Sequence, residues 1–380
     1  MALRFAVYEN GEDHIRNRVC KSIVSTFIDY GHKLVSKEEE LNFILNQASL
    51  VESDHYYRKT PSEWIISVIH VSETYEDLKS LCYTVLIRTL ANLVIAIVPK
   101  HGDAILKKDD EIASGDDIRD NYMIYCITPE VGFYGFPYNP KKIYHCMMPI
   151  VTSHALLKNR VINDLPGAFH DPSPTVKSLM KYGRELDNLG LLPTPFPLQE
   201  LLSKVDLEHL YSFFQIKGIS YGNLSVREPV PSIGEDTFWM TARGVNKGSL
   251  SSIGKDILLV SGFEPETQTI IVHSTPDGDS RARVSVDAIE HQLIYRTFPE
   301  VKAIVHVHAW MDNIESTFQN HPCGTIELAN SVVEKIKEFD HPDSVVIGLK
   351  NHGITITGSS LEDIFNRIRG NLVPTVPMYE

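Results

Sequence analysis

The sequence is short of the features that mark several large protein classes. Its five cysteines (Cys20, Cys82, Cys126, Cys146 and Cys323) are an odd number, and no two form CxxC. That excludes a disulfide framework and a CxxC-type zinc or redox motif, and it fits thiols in a reducing compartment. Long apolar runs are missing too. The longest, Leu90 to Val98, contains Asn92 and falls well short of the ~20 residues that span a bilayer. There is no basic excess: the formal net charge is −13. This argues against a general binder of nucleic acid or anionic membranes and leaves room for a local basic pocket. The opening MALRFAVYENGEDH has no signal-peptide pattern. The expectation is a cytoplasmic protein with neither a nucleic-acid nor a membrane partner. No internal repeat and no low-complexity tract is present.

A chain of 380 residues predicts two domains. Residues 3–8 read as a strand, and Asp13 to Tyr30 as a helix with Ile15, Val19, Ile23 and Phe27 at four-residue spacing. Strands are expected at 41–45, 64–71, 94–98, 122–128 and 143–151, with a helix from Tyr75 to about Ala91. Strands alternating with helices predict an α/β domain with a partly parallel sheet over 1–190. The acidic turn Glu9–Asp13 and the lack of GxGxxG argue against a dinucleotide site there. Nothing in this half names a function.

Leu191-Leu192-Pro193-Thr194-Pro195-Phe196-Pro197 reads as a semi-rigid linker. The second domain, 198–380, is expected to open with a helix from Leu198 to about Phe214. Ile257–Val260 and Thr269–Val272 read as a hairpin. Ser285 is placed to cap a helix from about Val286 to Phe298, with Asp287 and Glu290 in its first turn.

Val301 to Trp310, VKAIVHVHAW, carries the strongest chemical signal. Its β-branched residues predict a strand, and strand side chains alternate faces, so Ile304, His306 and His308 share one face. Two imidazoles so placed converge on one metal ion. Downstream, Asn351-His352-Gly353 interrupts an apolar run at an expected tight bend. His352 there is placed to look into a site and is the third candidate ligand. A lone histidine would read as packed or exposed, but the pattern of three points to a metal.

Four stretches carry a family resemblance. They are YGNLSVR (Tyr221–Arg227), MTARGVNKG (Met240–Gly248), SVDAIEHQLIYRTFPEVKAIVHVH (Ser285–His308) and LKNHGITITG (Leu349–Gly358). In this order they resemble the class II aldolase/adducin family, over roughly residues 198–370. The resemblance implies an α/β/α domain with a mainly antiparallel central sheet. It implies His306, His308 and His352 as ligands of Zn2+ or another divalent metal. Asp287, 19 residues before His306, takes the place of the family's catalytic carboxylate. Asn223, Thr241, Gly244 and Ser285 are implied to bind a substrate's anionic group. Arg243 stands where a small residue is more usual and reads equally as an oxyanion clamp or a solvated side chain.

The implied activity is that of a metal-dependent, aldolase-like lyase on a small sugar-like hydroxy-carbonyl compound, through a metal-stabilised enediolate. Epimerisation, decarboxylation and dehydration use the same logic, and the family's adducin branch is a non-catalytic scaffold. A homo-oligomer, with a tetramer as one form, is implied. The chain departs from the pattern in three places. Val286 replaces a second serine, the segment from His308 to Gly324 is short, and the C-terminal helices are abbreviated. Tyr379 is a candidate for the family's tyrosine proton donor. His291, four residues after Asp287, is placed to orient it. His321 and Cys323 are near the metal segment in sequence only.

Overall fold

The computed structural model describes residues 2–49, 58, 64–71, 78–100, 115–128, 132–152, 158–189, 203–205, 207–208, 222–267, 269–278, 282–319, 321, 324–350, 352–373 and 376–377. The linker 191–197, Asn351, Cys323, Tyr379 and most of the expected helix 198–214 lie outside them. Contacts divide the chain into two units, one built on Met1–Val151 and one on Thr152–Leu192 with Gly218–Pro377.

The first unit runs β1 (Arg4–Tyr8), α1 (His14–Asp29), β2 (Lys33–Leu34), β3 (Phe43–Gln47), β4 (Ile65–His70), α2 (Leu78–Thr89), β5 (Leu93–Pro99), α3 (Gly115–Asn121), β6 (Tyr122–Thr128), β7 (Gly132–Pro137) and α4 (Pro140–Thr152). Its sheet has the order β2-β1-β3-β4-β5-β6-β7. The first five strands are parallel, and β6 and β7 are antiparallel additions. The sheet is thus partly parallel, as α/β alternation dictates. Asp13 caps α1 by accepting from Arg16 N at 2.8 Å. Ile15, Val19, Ile23 and Phe27 all face the core.

One expected strand is wrong. Residues 143–151 lie inside helix α4. Asn139 Oδ1 accepts from Lys141 N and Lys142 N, and Pro140 sits at the helix start. Ile143, Met147, Ile150 and Val151 then fall on the buried side. The cap and the helical spacing outweigh the β-branched composition.

The second unit contains β8 (Lys158–Ile162), α5 (Pro174–Asn188), β9 (Asn223–Arg227), β10 (Phe238–Thr241), β11 (Ile257–Glu264), β12 (Thr269–His273), α6 (Ala288–Thr297), β13 (Ala303–Val307), β14 (Glu315–Ser316), α7 (Ile326–Ile336), β15 (Val346–Leu349), β16 (Gly353–Gly358) and α8 (Leu361–Ile368). Nine strands form one sheet, β14-β15-β16-β13-β9-β10-β11-β12-β8. All neighbours are antiparallel except β14/β15 and β12/β8. The apolar sides of α6 and α7 close over one face.

The unit boundary differs from the expected one. β8 pairs with β12 over five residues, and Val284 N donates to Asn159 Oδ1 at 3.0 Å. Residues 152–189 therefore belong to the second unit, although they precede the proline-rich stretch. Strand pairing between segments 111 residues apart, as Lys158 with Thr269, leaves no local mark in the chain.

Candidate metal and acid–base site

Strand β13 lies between β9 and β16, and both neighbours bring functional side chains to it. His306 is opposite Asn223 on β9 and opposite Thr355 on β16. The β15–β16 hairpin turns just before Gly353, so His352 sits at the end of the strand that flanks His306. Two glycines make this possible. A side chain at Gly222 would strike the His306 carbonyl oxygen, and Gly222 is held at φ 77. A side chain at Gly353 would strike the Val307 carbonyl oxygen.

The three imidazoles meet. Ring centroids are 5.1 Å apart for His306 and His308, 5.0 Å for His306 and His352, and 5.0 Å for His308 and His352. One nitrogen from each ring lies within 4.8 Å of the other two. His306 and His352 are buried and His308 half-buried. His306 Nε2 and His352 Nε2 are buried with no hydrogen-bond partner among the described residues. Burial pulls both rings down to about 4, so at neutral pH each presents a lone pair. Neutral nitrogens facing one another, without hydrogen bonds, are a donor set that fits one divalent ion.

Asp287 completes the cluster. Its Oδ2 lies 3.9 Å from His306 Nε2. Burial alone would raise its carboxyl. The His306 and His352 rings and the Ser285 hydroxyl outweigh burial and hold the group well below the usual carboxylate range. Ser285 Oγ and Asn223 Nδ2 each donate to Asp287 Oδ2 at 2.8 Å. Oδ1 is buried and has no hydrogen-bond partner among the described residues.

These contacts revise parts of the sequence reading. Ser285 and Asn223, expected at a substrate's anionic group, both hydrogen-bond Asp287. Ser285 does not cap α6 either. The cap position is Asp287 itself, without a side-chain cap hydrogen bond. Thr241 is fully buried, and its Oγ1 accepts from Leu224 N at 3.3 Å. Gly244 is exposed at φ 72, a turn position that favours glycine. Arg243 is exposed, and its backbone N donates to Arg283 O at 2.6 Å. His291 bonds Ser225 Oγ at 2.7 Å, and Ser225 also bonds Tyr295 Oη at 2.8 Å. His291 therefore anchors α6 to β9, and burial pulls its ring down to about 3, so it is neutral there.

Two buried ionisable groups escaped the sequence reading. Glu290 is 3% exposed, accepts from the Thr355 hydroxyl, and is pushed up to about 8 by burial and by Asp287. Its only sequence signal was a first-turn acid, which reads as a dipole partner. Lys247 is 3% exposed and pulled down to about 7 by burial. A lysine in a loop gives no sequence signal at all.

Residues 208–318 match the family described as Class II Aldolase and Adducin N-terminal domain. The matched stretch lies within the C-terminal half, where the four motifs resemble the same family. The match holds Asp287, His306 and His308, whereas His352, Gly353 and Thr355 lie beyond it. Among individual relatives, the methylthioribulose-1-phosphate dehydratase of Leptospira biflexa is 31% identical over 142 residues, 37% of this chain and 60% of that protein. The decarboxylase tropJ of Talaromyces stipitatus is 31% identical over 119 residues, 31% of this chain and 38% of that protein. The chain thus spans 60% and 38% of the lengths of these two curated relatives. A solved L-fuculose 1-phosphate aldolase is 18% identical, covers 53% of this chain and 84% of its own, and superposes with a TM-score of 0.35.

Proposed function

We propose that the C-terminal unit is a metal-dependent lyase acting on a small hydroxy-carbonyl compound, with Asp287 as its acid/base. The observation that carries this reading is the pairing of three mutually facing imidazoles with a buried, ionised carboxylate 3.9 Å from one of them. Held by His306, His308 and His352, a divalent cation would supply Lewis acidity toward a substrate carbonyl.

The chain's own groups account for the proton work. Ser285 and Asn223 fix Asp287 through Oδ2, which leaves Oδ1 to take and return a proton. The low proton affinity of Asp287 keeps it ionised at neutral pH. Burial excludes bulk water from the acid and strengthens its electrostatics.

Within the lyase class, elimination of water is favoured by the dehydratase named in Leptospira biflexa. There Asp287 would take the proton next to the carbonyl and return it to the departing hydroxyl. Aldol-type carbon–carbon cleavage is the second reading. It begins with a hydroxyl proton passing to the same oxygen. A non-catalytic scaffold would need neither the buried acid nor its two donors.

The test is metal analysis of purified protein, followed by turnover assays on methylthioribulose 1-phosphate and other ketose phosphates. Wild type is expected to carry about one divalent ion per chain and to turn over at least one compound. His306→Ala loses both, and Asp287→Asn keeps metal while its rate falls about 100-fold or more. Full metal content in His306→Ala overturns the site. Stoichiometric metal without turnover of any hydroxy-carbonyl compound overturns the enzyme.

A further inference from the structure

A second constellation lies on the same sheet, where β11, β12 and β8 follow one another on the side of β10 away from β13. His273 ends β12 and is buried, and both of its ring nitrogens are engaged. Nδ1 is 2.6 Å from Asp164 Oδ1, and Nε2 is 2.8 Å from Ser261 Oγ. An ionised carboxylate only accepts, so Nδ1 carries a proton. In the neutral ring Nε2 is then an acceptor, and the Ser261 hydroxyl donates to it. Carboxylate, imidazole and hydroxyl thus stand in the order that activates a serine as a nucleophile.

The scaffold fixes each member. The register of β11 on β12 pairs Val260 with Val272 and Gly262 with Ile271, and it passes over Ser261. Ser261 is therefore the extra residue of a β-bulge, a device that re-aims a side chain. It is half-buried, whereas His273 is sealed beside it. Asp164 is exposed, but its backbone is tied on both sides to Ser274, the residue after His273. Ser274 N donates to Ile162 O at 3.0 Å, and Leu165 N donates to Ser274 O at 3.1 Å. The carboxylate is thus held against the ring before any ligand arrives.

A purely structural tie between the Asp164 segment and β12 is complete with the Asp164 bond and the two backbone bonds. The serine adds a hydroxyl aimed at a base. Its surroundings set the class of ligand. Ile271 Cδ1 comes within 3.7 Å of where a side chain at Gly262 would begin, an apolar contact beside the bulge. The nearest charges along the strands, Arg160 and Glu264, pair with each other at 2.5 Å, which favours an uncharged ligand.

We propose that Ser261 is a second nucleophile of this chain, with His273 as its general base and Asp164 as a positioning residue, and that it takes the acyl group of a small uncharged ester. This is independent of the lyase reading. As Ser261 Oγ bonds the ester's carbonyl carbon, its proton passes to His273 Nε2. The ester C–O bond then breaks, and the alcohol leaves with that proton. Water repeats the exchange: it bonds the acyl carbon, gives a proton to Nε2, and the Oγ–carbon bond breaks. Oγ takes the proton back, and a carboxylic acid is released.

The test treats the full chain with p-nitrophenyl acetate and follows p-nitrophenol release, with acid-quenched samples mapped by mass spectrometry. Wild type, Ser261→Ala, Ser261→Cys and Asp164→Asn are compared, with a thermal melt recorded for each. Wild type is expected to release a burst of about one equivalent per chain and to carry an acetyl group on Ser261. Ser261→Ala loses both at an unchanged melt, and Ser261→Cys, which keeps a nucleophile, is acetylated at the same position. Asp164→Asn acylates roughly tenfold more slowly or worse, with an altered pH profile, because the ring loses the partner that sets its tautomer. Wild type without a burst or without acetyl-Ser261 overturns the proposal, as does a burst that survives in Ser261→Ala. A wild-type rate and pH profile in Asp164→Asn overturns the role of Asp164. The metal reading is judged separately, by metal content.

Discussion

At the scale of single residues, α6 sets two carboxyls three positions apart into opposite states. Asp287 receives hydrogen bonds from Ser285 and Asn223 and stays ionised. Glu290 is as deeply buried, but its neighbour Asp287 is a like charge and its Oε2 has no partner among the described residues. It therefore holds its proton to about pH 8. The folded state binds that proton more tightly than the unfolded chain, whose carboxyl titrates near 4.5. The stabilising contribution is full below 4.5 and is lost as pH rises through 8. Glu290→Gln, which mimics the neutral form, is expected to escape this loss. Between pH 6 and 9, wild type should lose on the order of 2–3 kcal/mol more stability than the variant. Denaturant melts at both pH values measure it, and parallel pH profiles would remove Glu290 as the source.

At the scale of elements, the site depends on how closely three strands approach. β13 supplies His306 and leads into His308, β9 supplies Asn223, and the β15–β16 turn supplies His352. Gly353 is the position where β16 meets the Val307 carbonyl without room for a side chain. Gly353→Ala is expected to push β16 away from β13 and to move His352 off His306. Overpacking of this kind costs about 1–3 kcal/mol. The melt should fall accordingly, and metal affinity should fall further than stability alone explains. Unchanged metal affinity in Gly353→Ala would show that the hairpin does not set the distance between the rings.

At the scale of the whole molecule, the second unit is assembled from sequence on both sides of the proline-rich stretch. β8 covers the β12 edge, and the ring of Tyr182 of α5 packs tilted against that of Phe365 of α8, centroids 5.0 Å apart. A fragment starting at residue 198 loses both. It exposes the β12 edge, an aggregation hazard, and uncovers part of the apolar side of α8. Residues 152–380 are expected to melt cooperatively, and residues 198–380 to aggregate or melt without a transition. Indistinguishable melts for the two fragments would mean that β8 and α5 are dispensable. Among the described residues no helix is long and apolar enough to cross a membrane.

The local patterns were legible wherever one element carries its own signal. Alternation along β13 placed His306 and His308 on one face, four-residue spacing defined α1, and the Asn-His-Gly bend located His352. Asp287 was reached through its distance from His306 and the family resemblance. Other features depend on contacts between segments remote in sequence: β8 joining the second sheet, Ser285 and Asn223 turning to the acid, and Lys247 sinking beneath α5. Spacing encodes which way a side chain faces within an element. What buries it, and which charges then surround it, is set by the packing of distant segments, and tertiary structure alone decided that.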